Sequence, residues 1–206
     1  MKSFLSRYSA EYLALKIARL RHRYFDDFVF IHINKTGGSS VEKALKIPFE
    51  HKTALEKIDE LGRKAWERKF TFAIIRNPWD KVVSHFHWRV KMNTTSLGDQ
   101  PVPFREWVKL AYGDNDPRYY DIEKMFMPQT DWIADSGGQI LVDHTCRFEN
   151  LNEDFDFVAR KLGIDTALPH IKPSKRGNYR DYYDDNTMAI VAQWFAKDIK
   201  NFGYEF

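Results

Sequence analysis

Two short runs of this chain bring together residue types that hold anions. The first, Asn34-Lys35-Thr36-Gly37-Gly38-Ser39-Ser40, places one ammonium, three hydroxyls and two glycines within seven positions. Glycines permit a tight turn and close backbone approach, so successive N–H groups can face a phosphate or sulfate. A helix starting after the glycines would add unpaired N–H groups and the positive end of its dipole. The second run is Arg76-Asn77-Pro78-Trp79-Asp80-Lys81-Val82-Val83-Ser84. Arg76 can grip an anion with two charge-assisted hydrogen bonds, and Ser84, two helical turns further on, can add a hydroxyl. Group transfer to a hydroxyl also needs a proton acceptor. His51, downstream of the first run, is the leading candidate on position, and its neighbour Glu50 is the competitor. His85 and His87 follow the second run, but their places on its helix turn them aside from Ser84. His32, inside an apolar run, reads as a hydrogen-bonded core residue.

These side chains need elements to aim them. Residues 28–33 and 70–75 are short, β-branched and aromatic runs that read as buried strands. Between them Leu55, Ile58, Leu61 and Ala65 recur at helical spacing, which predicts one helix over 54–68 and a βαβ unit. Val41, Ala44 and Leu45 start a helix after the first run. Asn77 is suited to cap another and Pro78 to its first position, with Val82, Val83, Phe86 and Val90 continuing it. Residues 140–148 predict a further strand, followed by a helix through Leu151, Phe155, Val158 and Leu162. The last helix carries Met188, Val191, Phe195, Ile199 and Phe202, and a shorter one is expected over 104–112. The polar stretch 93–121 is otherwise expected to face substrate. Leu5, Tyr8, Tyr12 and Leu15 predict an amphipathic helix over 3–22. No repeat and no linker divides the rest. The expectation is an α/β fold with a mainly parallel sheet in one domain, residues 25–206, preceded by a basic helix, 1–24. In such sheets ligands bind beyond the carboxyl ends of the strands, where both runs fall.

Composition agrees with one globular domain: 206 residues, 43% hydrophobic and 30% charged. The net charge of +3 is too small to imply a nucleic-acid binder. Positive charge gathers at Lys2, Arg7, Lys16, Arg19, Arg21 and Arg23 against the single acid Glu11. It gathers again at Lys172, Lys175, Arg176 and Arg180, beside Pro173 and Gly177 on a predicted loop. The N-terminal basic face is expected to be solvated, with a membrane surface or a partner as the secondary reading. A lone Cys146 cannot form an internal disulfide. No apolar stretch approaches the roughly 20 residues needed to span a bilayer, and no signal-peptide apolar block is present, so a cytoplasmic location is expected.

Residue order separates the kinds of anion loop. A Walker A loop places its lysine after the glycines, whereas Lys35 precedes Gly37 and Gly38; a Rossmann G-x-G-x-x-G is absent. The apolar run followed by Lys-Thr-Gly-Gly-Ser-Ser resembles the 5′-phosphosulfate loop of sulfotransferases that use 3′-phosphoadenosine 5′-phosphosulfate (PAPS). Arg76 through Ser84 resembles the 3′-phosphate motif of that family. Arg147-Phe148-Glu149-Asn150-Leu151 with Phe155-Asp156-Phe157-Val158 looks like a structural segment of the same family. Lys175-Arg176-Gly177 is similar to its loop over the 3′-phosphate, with the basic pair reversed. The resemblance runs from about residue 28 to the C-terminus and is dense in the first two motifs.

It implies a P-loop-like fold and in-line transfer of a sulfuryl group from PAPS to an acceptor hydroxyl, with no metal. By the same resemblance, Lys35, Thr36, Gly37, Gly38, Ser39, Ser40, Arg76, Ser84, Arg176 and Gly177 hold the co-substrate. Lys35 and the N–H groups of residues 36–40 stabilise the departing phosphate oxygen. His51 takes the acceptor proton. The motif versions look most like the carbohydrate-acting and bacterial branch, which makes a sugar the expected acceptor, with Trp88, Trp107 and Trp132 as stacking candidates. A kinase or nucleotide hydrolase on a related core, or a non-catalytic nucleotide-binding protein, are the alternatives. The former needs a metal-binding aspartate at a strand end, whereas Asp80 lies inside the second motif and Asp143 is expected mid-strand.

Overall fold

Apolar residues on both faces suit a strand to the middle of a sheet, and Phe72, Ala73, Ile74 and Ile75 are four in a row, all buried. In the computed structural model, which describes residues 2–169 and 177–206 with side chains from Tyr12 onward, strand β2 (Phe70–Ile75) lies between β1 (Phe28–Ile31) and β3 (His144–Arg147). Both pairings are parallel, with Phe28 opposite Phe70 and Phe72 opposite His144. One face, with Phe28, Phe30, Phe72, Ile74 and Cys146, packs under helices α2 (Gly38–Leu45) and α9 (Leu151–Leu162). The other, with Val29, Ile31, Ala73 and Ile75, meets α3 (Ala54–Leu61), α4 (Arg63–Trp66), α8 (Gln129–Ile133) and the C-terminal segment. A third apolar cluster joins α5 (Pro78–Lys91) to α6 (Phe104–Val108) and α10 (Asp185–Trp194). The described residues thus form a small parallel sheet flanked by helices.

Several expected boundaries move for identifiable reasons. The strand predicted over 28–33 stops at Ile31 because Ile33 N–H turns back to the Ile31 carbonyl, steering the chain into the Lys35 loop. The single helix predicted over 54–68 is two, broken at Gly62 (φ 83°); Thr53 and Glu56 close a capping box at the start of the first. Ile140 pairs antiparallel with Ala134, so the predicted 140–148 strand shrinks to β3. Asp143 lies just before β3 and accepts from the main chain and hydroxyl of Thr71. The 104–112 helix ends in a π-turn over Lys109–Gly113. The last predicted helix divides at Phe195 into α10 and α11 (Ala196–Phe202). Two short helices, α7 (Glu123–Phe126) and α8, were not expected.

The N-terminal segment is helical, α1 (Lys2–Tyr24), but its described apolar side chains do not gather on a buried face: Tyr12, Leu13, Leu15, Ile17 and Leu20 are all exposed. Its C-terminal end is tied down by Arg21 to the Lys46 carbonyl, Arg23 to the Glu60 carbonyl and His22 to Asp26. No helix of the described residues is long and apolar enough to cross a membrane.

Candidate active site

The first run forms the turn between β1 and α2. Lys35 (φ 64°) and Gly37 (φ 88°) both take left-handed backbone conformations, a winding that turns neighbouring N–H groups towards one point. Gly38 is fixed by packing: a Cβ there would lie 2.2 Å from the His32 ring. That ring is itself held, its Nδ1 2.8 Å from Glu42 Oε1 with both side chains buried. The Lys35 ammonium stands 5.6 Å from the centroid of Trp88, on α5.

The second run begins where β2 ends. Arg76 is buried and donates through Nε and Nη2 to Asp80 (2.8 and 2.6 Å) and through Nη1 to the Lys35 carbonyl (2.9 Å). Its guanidinium carbon lies 3.8 Å from the centroid of the Phe148 ring. Asn77 caps α5 by accepting from the N–H groups of Trp79 and Asp80, and Pro78 takes the first helical position. The Asn77 N–H donates to Glu149 and its side-chain amide to the Glu205 carbonyl, so α5 is anchored from two directions.

Both runs border one cleft of about 1010 Å³. Lys35, Gly37, Gly38, Ser39, Arg76 and Ser84 line it, together with His51, Trp88, Phe49 and Phe148. Thr36 and Ser40 are not in its wall. The Thr36 hydroxyl is buried and donates to the Ile33 carbonyl, so it shapes the turn instead of facing a ligand. Gly177 is exposed and is not among the described residues that line the cleft; Arg176, Lys175 and Lys172 lie outside the described residues. The stretch 93–121, expected to face substrate, contributes no residue to the wall. Trp107 and Trp132 are core residues, which leaves Trp88 as the tryptophan on the cleft.

The candidate bases separate by geometry. His51 Nδ1 is 2.7 Å from the His32 carbonyl; a carbonyl can only accept, so Nδ1 carries the proton and Nε2 keeps the lone pair. Burial pushes the His51 pKa below its ordinary value. Glu50 is not among the residues that line the cleft, although its neighbours Phe49 and His51 are. Burial would raise its pKa, but hydrogen bonds from Lys52 and Lys57 outweigh that and hold the carboxyl below its ordinary range. His85 is fully buried among Trp107 and Phe126, with its pKa driven well down by burial. His87 points to the Tyr182 hydroxyl.

Residues 19–205 match the family model described as "Sulfotransferase family". The chain belongs to the sulfotransferase family. An uncharacterized protein of Archaeoglobus fulgidus is 28% identical over 126 residues, covering 59% of this chain and 92% of that protein. No solved structure matches the chain.

Three further residues shape the cleft of this sulfotransferase without having been read as doing so. His32, expected to be only a core residue, is buried and hydrogen-bonded and also borders the cleft. Phe148 lies under the Arg76 guanidinium, and Glu149 accepts from both the Asn77 N–H and the Tyr204 hydroxyl. The available signal for the last two was their place just after a strand, where loops of a parallel sheet meet ligands.

Proposed function

We propose that this sulfotransferase moves a sulfuryl group from PAPS to a hydroxyl of a carbohydrate acceptor, on a P-loop-like core. The observation that carries the reading is the hydrogen bond from Arg76 to the Lys35 carbonyl: it joins the two anion loops side by side on one cleft. PAPS carries a 5′-phosphosulfate and a 3′-phosphate, and the cleft offers a cationic group for each, Lys35 at one loop and Arg76 with Ser84 at the other. When bound, PAPS supplies the sulfuryl group and a phosphate leaving group.

The chain's own residues have two tasks. As the bridging oxygen departs, negative charge grows on the phosphate; Lys35 and the N–H groups at the start of α2, on the same cleft, are the cation and donors that stabilise it. His51 Nε2 holds the lone pair that takes the acceptor proton, and its lowered pKa keeps it neutral and ready at pH 7. The aromatic rings of Phe49 and Trp88 on the same cleft suit the apolar face of a sugar. Thermal-shift titration compares adenosine 3′,5′-bisphosphate with ATP plus magnesium, and transfer of labelled sulfate to a glycan panel follows. Preference for the bisphosphate and labelling of a glycan are expected. Preference for ATP plus magnesium would favour phosphoryl transfer instead.

A further inference from the structure

Arg76 is the first residue beyond β2, where the ladder no longer fixes the main chain. Its N–H donates to Gln129 Oε1 at 2.8 Å, and its carbonyl accepts from Gln129 Nε2 at 2.8 Å. One side-chain amide therefore takes both main-chain groups of one residue, as a neighbouring strand would. Gln129 opens α8, is fully buried and is absent from the cleft wall. It is held in turn by Asp198 of α11, also fully buried, whose Oδ2 accepts from Gln129 N–H (2.8 Å) and Nε2 (3.2 Å); Oδ1 accepts from Thr130 N–H (2.7 Å). Both hydrogens of Nε2 are thus engaged, one on Arg76 and one on Asp198, and the amide cannot turn over without losing several bonds.

We infer that Gln129, braced by Asp198, is a positioning residue that aims the Arg76 guanidinium and so sets the site's preference for a nucleotide bearing a 3′-phosphate. Rotating the Arg76 main chain by about 10° moves a group about 6 Å away by about 1 Å, enough to spoil a bidentate contact. The inference rests on the donor reading above, and the test separates the two.

Calorimetric affinities for adenosine 3′,5′-bisphosphate and for adenosine 5′-monophosphate are measured in the wild type, Gln129→Met, Arg76→Ala and the double variant. The readout is the ratio of the two affinities, which a general loss of stability does not change selectively. Gln129→Met is expected to reduce the wild-type ratio about tenfold, a step of about one charge-assisted hydrogen bond, with 5′-monophosphate affinity little changed. On the Arg76→Ala background the same substitution is expected to add nothing. Should Gln129→Met give no cooperative melt, Asp198→Asn carries the same comparison, with a smaller fall in the ratio expected. An unchanged ratio, or equal weakening of both nucleotides, overturns the inference while leaving the donor reading in place. A wild type without preference for the bisphosphate overturns the donor reading itself, and this inference with it.

Discussion

At the scale of single residues, labour in the proposed reaction divides between Lys35 and His51. In the proposed reaction Lys35 meets charge that exists fully only as the leaving group departs, so its removal should damage turnover more than binding. Lys35→Ala is expected to lower kcat by about 100-fold or more, with a much smaller change in bisphosphate affinity by calorimetry. An unchanged kcat would take Lys35 out of the chemistry. As the proposed base, His51 would act only when neutral, and burial pushes its pKa below the ordinary value. The acid limb of the kcat/KM profile should therefore lie below pH 6.5, with activity falling as pH drops through it. In His51→Ala that limb should vanish along with most activity, whereas Glu50→Gln should keep it. The place of Lys35 and Arg76 on one cleft was legible because each motif joins a charged side chain to glycines or a helix cap, whereas His51 stood on position alone. The separate fates of Thr36 and Ser39 were not: both are hydroxyls in one run, and only the fold shows that Thr36 turns inward to the Ile33 carbonyl.

At the scale of elements, the site depends on how tightly the β1–α2 turn packs. The missing Cβ of Gly38 makes room for the His32 ring, which pairs with Glu42 on the following helix. Gly38→Ala should force that ring aside and cost about 1–3 kcal/mol in urea unfolding. Adding His32→Ala to it should cost less than the sum of the two single losses, because the clash is then gone; strict additivity would show that the ring is not the obstacle. The strand-turn-helix units around both runs could be read from sequence, since a continuous apolar strand, a glycine turn and an Asn-Pro cap are local signals. What was missed is of two kinds: a local breaker or pairing hidden by apolar spacing that runs on past it, and burial that no single segment specifies. Gly62 breaks a helix whose apolar spacing continues across it, and Ile140 pairs with Ala134 instead of extending β3. Trp107 and Trp132 look like any aromatic ligand platform until the core closes over them.

For the whole molecule, the C-terminal segment acts as a brace behind the site. Asp198, Tyr204 and the Glu205 carbonyl reach Gln129, Glu149 and Asn77, three groups that hold the end of β2 and the start of α5. Beside that brace, Lys81 is wholly buried among the described residues, and burial lowers its pKa to about 8. An unfolded lysine titrates near 10.5, so between about pH 8 and 10.5 the unfolded chain binds the extra proton and the contribution of this lysine to stability rises with pH. Compared with Lys81→Met, the wild type should gain up to about 1.4 kcal/mol per pH unit across that window in chemical unfolding. Equal pH slopes would show that the amine is hydrated. The central claim, that two linked loops grip opposite ends of one nucleotide, is tested most directly by a crystal structure with adenosine 3′,5′-bisphosphate. The 5′-phosphate is expected on the turn from Lys35 to Ser39 and the 3′-phosphate at Arg76 and Ser84; the reverse orientation, or a nucleotide touching only one loop, would overturn that claim.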